Sequence, residues 1–295
     1  MPKLNVDLTP SIKRLDIITR SLINAQIIGG YKSVFRGTGL EFNGYKEYSP
    51  DDDSKKIDWK ATIRSNKPLV KEFIEERNLN VFLMIDTSYS MLMGTTDKLK
   101  MEYAAEFSGA LGHAVLQASD ALGMIMFADN VVKSIPPSTG KMHFYKISKV
   151  LLDLDNYGGH YDIINVMKFS MSYIPRTSMV IIVSDFIGLK GEWKKWLKIF
   201  SMRYDTIGVM VRDPIDKELP DEDINVLLED PATGNQMAIN PHLIGQLYQD
   251  YTAQEEDEIR RAFVDAGADF LTLTTDKDFI KPIIDLFLRR GKKFI

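Results

Sequence analysis

Three oxygen-bearing side chains follow a short apolar run at alternate positions. In the segment VFLMIDTSYSM, residues 81–91, the apolar run ends at Asp86, and Ser88 and Ser90 come next at every second residue. A second apolar run, MVIIVSDF, contains Asp185 near its end. Carboxylates and hydroxyls are hard oxygen ligands of the kind that Mg²⁺ and Mn²⁺ accept. We therefore expect these four residues to form a site for a divalent cation, provided that both runs are strands of one sheet.

The pattern beyond residue 80 indicates such a sheet. Short apolar runs alternate with segments of helical periodicity, which is typical of a mostly parallel sheet covered by helices on both faces. Ligands of these sheets bind beyond the carboxyl ends of the strands, near the switch in strand order. The predicted strands are 80–86, 121–129, 131–137, 178–186, 205–213 and 268–275, the predicted helices are 97–118, 141–153, 162–173, 191–202, 241–266 and 277–290, and a hairpin is predicted at 225–239.

A smaller unit precedes this sheet. A predicted helix opens at the Thr9–Pro10 pair and ends at the Gly29–Gly30 pair, and the segment after it is rich in turns and short strands. We therefore predict two domains, an N-terminal helix with a small β-rich subdomain at 1–79 and an α/β domain at 80–295. Trp59 is predicted to pack at the joint between them.

Composition and charge exclude several classes of function. The chain has 295 residues, a formal charge of −4 and a pI near 5.7, which disfavours a broad basic face for nucleic acid. The absence of cysteine excludes disulfides and thiolate metal sites. The apolar runs are far shorter than the roughly 20 residues of a spanning helix, and the N-terminus lacks the apolar segment of a signal peptide. We predict a soluble, cytoplasmic protein that does not insert into a membrane.

The segment FLMIDTSYSM resembles the opening of the von Willebrand factor A domain, which carries a metal-ion-dependent adhesion site. In that family the D-x-S-x-S residues, a threonine from a later loop and a later aspartate gather one divalent ion. Asp86, Ser88, Ser90 and Asp185 match this pattern. The resemblance implies a doubly wound, mostly parallel α/β sheet and a site for Mg²⁺ or Mn²⁺.

One position departs from the family pattern. Where the family has threonine, the segment GGHYDII, which begins at residue 158, has Tyr161, followed by Asp162. Tyrosine is a poor substitute for a direct hydroxyl ligand. Three alternatives therefore stay open: weak metal binding, use of Asp162 or water in place of the threonine, and a site that holds no metal. Tyr161 and Asp162 are both included among the candidate metal-site residues.

A longer upstream segment resembles the family numbered fifty-eight among domains of unknown function. These are bacterial von Willebrand A-like proteins often encoded beside MoxR-type AAA+ ATPases. The likeness is carried by a tyrosine–proline–acid turn, an Ile-Asp-Trp-Lys segment and a following arginine, found here at Tyr48, Pro50, Asp52, Asp53, Ile57, Asp58, Trp59, Lys60 and Arg64. Asp51 stands where the family usually has glycine. The resemblance covers nearly the whole chain and implies a MoxR-type ATPase and its client protein as partners in complex assembly or remodelling.

Enzymatic functions have less support. A serine nucleophile at Ser88 or Ser90 would need a positioned base, and the G-x-S-x-G elbow is absent. The four histidines do not have the spacing of a zinc hydrolase. We therefore predict a binding module and not an enzyme, in which an acidic residue of the partner completes the shell of a bound ion. A metal-independent scaffold of the same fold is the first alternative, and a metal-dependent hydrolase is the second.

Overall fold

The computed structural model of the chain describes residues 40–49, 57–65, 67–75, 79–220, 223–229 and 235–293. The helix predicted between residues 9 and 30 and the tip of the predicted hairpin at 230–234 lie outside these ranges. The described strands are β1 (Leu40–Glu47), β2 (Leu69–Glu75), β3 (Asn80–Asp86), β4 (Ala121–Phe127), β5 (Val131–Ser138), β6 (Ser178–Ser184), β7 (Asp205–Arg212), β8 (Val226–Glu229), β9 (Gln236–Ile239) and β10 (Asp269–Thr274). The described α-helices are α1 (Trp59–Ser65), α2 (Lys100–Gln117), α3 (Lys141–Leu151), α4 (Ile163–Tyr173), α5 (Trp193–Ser201), α6 (Pro241–Asp265) and α7 (Ile280–Lys293).

Six strands form one sheet in the order β10-β7-β6-β3-β4-β5. All neighbours in this sheet are parallel except β4 and β5. From β3 the chain moves outward through β4 and β5, returns to β6 on the other side of β3, and then moves outward again. The direction therefore reverses between β3 and β6, and this reversal is the switch point at which open parallel sheets bind ligands. The predicted doubly wound, mostly parallel α/β sheet is confirmed.

The sheet is buried on both faces because successive side chains of a strand point in opposite directions. In β3, Val81, Leu83 and Ile85 pack with α2, α3 and α7, whereas Phe82 and Met84 pack with α4, α5 and α6. Each such side chain contributes about 1.5–3 kcal/mol when it is fully buried. This two-sided burial explains why the strands are continuous apolar runs, and it fixes the strand ends relative to one another.

Helix α2 begins three residues later than the sequence predicts. Asp97 was the expected first residue, but α2 starts at Lys100. The N–H and hydroxyl groups of Thr95 both donate to the carboxylate of Asp213, which lies beyond the end of β7. This long-range contact keeps the segment before Lys100 in a loop.

Of the region predicted to form an N-terminal subdomain, the structure describes residues 40–49, 57–65, 67–75 and 79. β1 and β2 form an antiparallel pair, and Asp58 caps α1 by accepting the N–H groups of Lys60 and Ala61 at 3.0 and 3.2 Å. The expectation that Trp59 packs at a domain joint is wrong, because its side chain is 66% exposed. Trp59 is the first residue of α1, and no residue of this helix is buried.

The antiparallel pairing of β8 and β9 confirms the predicted hairpin. Across the described ranges, no helix combines the length and apolar character that crossing a bilayer requires.

Candidate metal centre

The end of β3 places three candidate ligands close together. Asp86 has no exposed surface, and its Oδ1 atom accepts the N–H of Ser88 at 2.8 Å. The hydroxyl of Thr87 donates instead to the carbonyl of Phe127 in β4. The hydroxyl oxygens of Ser88 and Ser90 lie 3.2 Å apart where a 3-10 turn begins. One carboxylate and two hydroxyls therefore share one region, as expected from the alternate spacing of the motif.

The end of β6 adds the second carboxylate. β3 and β6 are paired in register, with Ile85 opposite Val183, so the residues that follow them are also neighbours. The hydroxyl of Ser184 donates to Oδ2 of Asp86 at 2.6 Å. Asp185 has no exposed surface, and its negative charge acts on Asp86. The two strand-end acids are therefore buried at the same edge of the sheet. We call the region formed by Asp86, Ser88, Ser90 and Asp185 the crevice.

The backbone after Asp185 has a conformation that L residues rarely adopt. Phe186 has a φ of +56°, and its N–H donates to the hydroxyl of Ser184 at 2.8 Å. A bulky residue in this region costs about 1–3 kcal/mol and persists only where the surrounding contacts determine it. The ring of Phe186 packs edge-on against Phe263. Packing and hydrogen bonding together therefore fix the turn that carries Asp185.

The loop before α4 is hydrogen-bonded to the segment that follows β3. The N–H of Gly158 donates to the carbonyl of Thr87 at 2.7 Å, and the N–H of Tyr89 donates to the carbonyl of Gly159 at 2.9 Å. Gly158 and Gly159 have φ values of +123° and +101°, which favour glycine. These two bonds hold Tyr161 against the end of β3.

The hydroxyl of Tyr161 is buried and has no hydrogen-bond partner within the described part of the chain. Burial, and after it the charge of Asp86, raises the pKa of Tyr161 well above its ordinary value. The nearby hydroxyl of Ser184 lowers the pKa of Tyr161, but by less than burial raises it. The proton of this serine hydroxyl is donated to Asp86. The buried hydroxyl of Tyr161 therefore lies close to the strand-end acids, and its role in place of the family's threonine stays a prediction.

Asp162 lies beside this group but has another role. It is the N-cap of α4, and its Oδ1 atom accepts the N–H groups of Ile164 and Asn165 at 3.0 and 3.2 Å. An N-cap of this kind stabilises a helix by about 1 kcal/mol. A contribution of Asp162 to a metal site stays a prediction.

Asp86 lacks a full counter-charge. Burial, and after it the charge of Asp185, raises the pKa of Asp86 to about 7. Hydrogen bonds from Ser184 and Ser88 lower this pKa but do not compensate for the burial. A nearby cation would stabilise a buried carboxylate of this kind, because it would supply the missing counter-charge.

A lysine that the sequence analysis missed compensates Asp185. The Nζ atom of Lys100 lies 2.8 Å from Oδ2 of Asp185 and 2.9 Å from Oδ2 of Asp216, and the lysine has no exposed surface. Burial would lower the pKa of Lys100, but the charges of Asp185 and Asp216 outweigh it and raise the pKa. One signal was present in the sequence: a lysine in the first turn of a helix opposes the helix dipole.

The residues present fit a hard divalent cation. Asp86 supplies an uncompensated carboxylate, Ser88 and Ser90 supply adjacent hydroxyls, and Tyr161 supplies a hydroxyl that lacks a partner. Ser90 is partly exposed, whereas Asp86, Ser88 and Asp185 are buried. In the described ranges no group of three or more Asp, Glu or His side chains is placed to hold a metal, so a cation here would depend on the hydroxyls.

Comparisons with known proteins give one sequence relative and two solved structures that this chain resembles in part. An uncharacterized protein of Mycobacterium tuberculosis, Rv1480, is 26% identical over 289 residues, which cover 97% of this chain and 90% of the relative. The solved structure of the conserved hypothetical protein BatB from Bacteroides thetaiotaomicron is 15% identical, with a TM-score of 0.48, and covers 73% of this chain and 98% of its own. The VWA domain of SpRpn10 is 11% identical, with a TM-score of 0.36, and covers 73% and 94% of the two chains.

Because both TM-scores are low, the fold assignment rests on the strand order and register of the sheet itself. The family model described as "Protein of unknown function DUF58" matches residues 44–261, which is more than half of the chain. The predicted membership in the family numbered fifty-eight is therefore confirmed, and the chain belongs to the DUF58 family.

Proposed function

We propose that this chain is a protein-binding module that recognises an acidic residue of its partner through a divalent cation. Asp86, Ser88 and Ser90 would hold Mg²⁺ or Mn²⁺ directly, and Asp185 would contribute through water. When bound, the cation supplies a Lewis-acidic position that a partner's Asp or Glu can occupy. The observation that carries the proposal is the convergence of Asp86 with two adjacent serine hydroxyls at the switch point of the sheet.

The contribution of the chain itself is positional. The in-register pairing of β3 and β6 sets the distance between the two strand ends, and the hydrogen bond from Ser184 orients the carboxylate of Asp86. The complete burial of Asp86 separates its carboxylate from bulk water, which strengthens its attraction for a cation. The partial exposure of Ser90 leaves an approach for the partner.

The proposed partner is a MoxR-type AAA+ ATPase or the client that it remodels. This part of the proposal comes from the resemblance to the family and not from the geometry. Since such an ATPase depends on ATP, we place the pair in the cytoplasm. A recognition role requires no nucleophile, so the proposal does not include catalysis.

A chelator-controlled pull-down tests this proposal. We expect a purified MoxR-type ATPase or its client to be retained in Mg²⁺ and released by chelator, and Asp86→Asn to abolish retention. Asp155→Asn is the matched control, because Asp155 is an exposed acid outside the crevice. Retention that neither chelator nor Asp86→Asn reduces would contradict the proposal.

One observation favours a second candidate, which is a metal-independent scaffold. Trp59 and Ile63 lie one turn apart on α1 and are 66% and 79% exposed, so the N-terminal subdomain carries an apolar surface of its own. If this surface binds the partner, the double substitution Trp59→Ala and Ile63→Ala abolishes retention, whereas chelator has no effect. The reverse pattern would rule out this candidate.

A further inference from the structure

Lys100 is a fully buried cation at the edge of the candidate metal centre. Its Nζ atom lies 2.8 Å from Oδ2 of Asp185 and 2.9 Å from Oδ2 of Asp216, and its side chain has no exposed surface. Burying a charged group is costly unless the group is paired and hydrogen-bonded. The two carboxylates meet this requirement, and Lys100 therefore carries its charge in the folded chain.

The position of Lys100 is unfavourable for its own helix. It is the first residue of α2, where the helix dipole places a partial positive charge. A lysine here gains nothing from the helix, and its stabilisation must come from Asp185 and Asp216. Both partners are distant in sequence, one after β6 and the other after β7.

Neighbouring hydrogen bonds hold this lysine in place. Oδ2 of Asp216 also accepts the N–H of Asp213 at 2.9 Å. Asp213 in turn accepts the N–H of Thr95 at 2.9 Å and the hydroxyl of Thr275 at 3.1 Å. The acceptor that faces Lys100 is thus tied to the loop before α2 and to the end of β10. These bonds fix the position of Asp216, and Lys100 lies between this carboxylate and that of Asp185.

We propose that Lys100 is a positioning residue that neutralises Asp185 and leaves Asp86 as the carboxylate with which the crevice holds its cation. This inference rests on the proposed function and deepens it. Asp86, Asp185 and Asp216 carry three negative charges, and Lys100 offsets one of them. The crevice therefore binds a dication less tightly than its acids alone would, and more of the ion's positive charge is left to attract an acidic partner.

The experiment measures cation affinity without any partner. Titration calorimetry with Mg²⁺ alone and with Mn²⁺ alone, at pH 8, compares the wild-type chain with Lys100→Gln, which removes the charge but keeps a polar end. We expect Lys100→Gln to bind the cation roughly tenfold more tightly, because one nearby positive charge is lost. Its melting temperature without metal is expected to fall, and added Mg²⁺ is expected to raise it more than in the wild type.

Two further variants separate charge from structure. Lys100→Arg keeps the positive charge, and we expect its affinity to stay near that of the wild type even if its melting temperature falls. Lys98→Gln removes a charge two residues away; Lys98 is partly exposed and pairs with Glu106 at 2.7 Å, outside the crevice. We expect Lys98→Gln to change cation affinity by less than about twofold, because partly exposed charges are screened by solvent.

The outcomes distinguish this inference from the proposed function. If the wild type binds cation and Lys100→Gln binds equally or more weakly, the role of Lys100 is structural and the inference is overturned, whereas the proposed function stands. If the wild type and the lysine variants bind no cation, the proposed function fails and the inference fails with it. If Lys100→Gln folds only when Mg²⁺ is present, the cation is replacing the lysine charge, which supports the inference.

Discussion

The hydroxyl of Ser184 donates a hydrogen bond to Oδ2 of Asp86 at 2.6 Å, and this bond joins the ends of two neighbouring parallel strands. The same hydroxyl accepts the N–H of Phe186 at 2.8 Å. Ser184→Ala removes both contacts and leaves a buried carboxylate with one acceptor site unmet. We expect a loss of about 1–3 kcal/mol in the free energy of unfolding without metal, measured by urea denaturation.

Ser178→Ala is a matched control for this prediction. Ser178 is a buried serine at the other end of β6, and its hydroxyl has no partner within the described ranges. Its removal is expected to change the free energy of unfolding by much less than that of Ser184. Equal effects of the two substitutions would show that the hydrogen bond to Asp86 contributes no measurable stability.

The stability of the metal-free chain is expected to depend on pH through Asp86. Because the pKa of Asp86 is raised from 3.8 to about 7 in the folded chain, its protonated form contributes stability below about pH 4. That contribution is lost as the pH rises towards 7. Asp86→Asn lacks this titration, so its stability relative to the wild type is expected to improve between pH 5 and about pH 7, measured by urea denaturation in chelator.

Added Mg²⁺ is expected to reverse this trend in the wild type alone, because a cation compensates the ionised carboxylate. A constant difference between wild type and Asp86→Asn across this pH range would contradict the assignment of an uncompensated charge to Asp86.

Tyr161→Phe is expected to separate stability from cation binding. The substitution removes a buried hydroxyl without a partner, so the metal-free chain is expected to become more stable by about 1 kcal/mol. If the hydroxyl takes the place of the family threonine, cation affinity falls at the same time, by roughly tenfold. Thermal melting with and without Mg²⁺ measures both effects. A gain in stability with unchanged affinity would remove Tyr161 from the candidate ligands.

Gly159→Ala tests whether the loop that carries Tyr161 must have its present shape. The φ of Gly159 is +101°, and a Cβ atom added there would lie 3.0 Å from Cβ of Ala128. We expect a loss of about 1–3 kcal/mol in stability and weaker cation binding, although no ligand is changed. Gly245→Ala, where a Cβ atom meets nothing within 4 Å, is the control and is expected to be neutral or slightly stabilising.

Much of the sheet was predictable because it depends on local pattern. The apolar runs before Asp86 and Asp185 are continuous since both faces of these strands are covered, and their adjacency follows from the rule for switch points. The alternate spacing of Ser88 and Ser90 also placed their hydroxyls correctly near each other. The apolar runs and the spacing of the two serines are local features, and the adjacency of the two strands follows from a general rule of the fold and not from a particular contact.

The missed features depend on distant residues. Lys100 owes its burial to Asp185 and Asp216, which lie 85 and 116 residues further along the chain. The late start of α2 depends on Asp213, which holds Thr95 across 118 residues. No local pattern in a single sequence reports such pairs.

Direct titration of Mn²⁺ into the metal-free chain at pH 8, followed by calorimetry, tests the central claim most directly. The account predicts one bound ion per chain in the wild type and none in Asp86→Asn, with the fold of the variant confirmed by its melting transition. A wild type that binds no ion, or an Asp86→Asn variant that binds it equally well, would contradict the assignment of this crevice as a cation site.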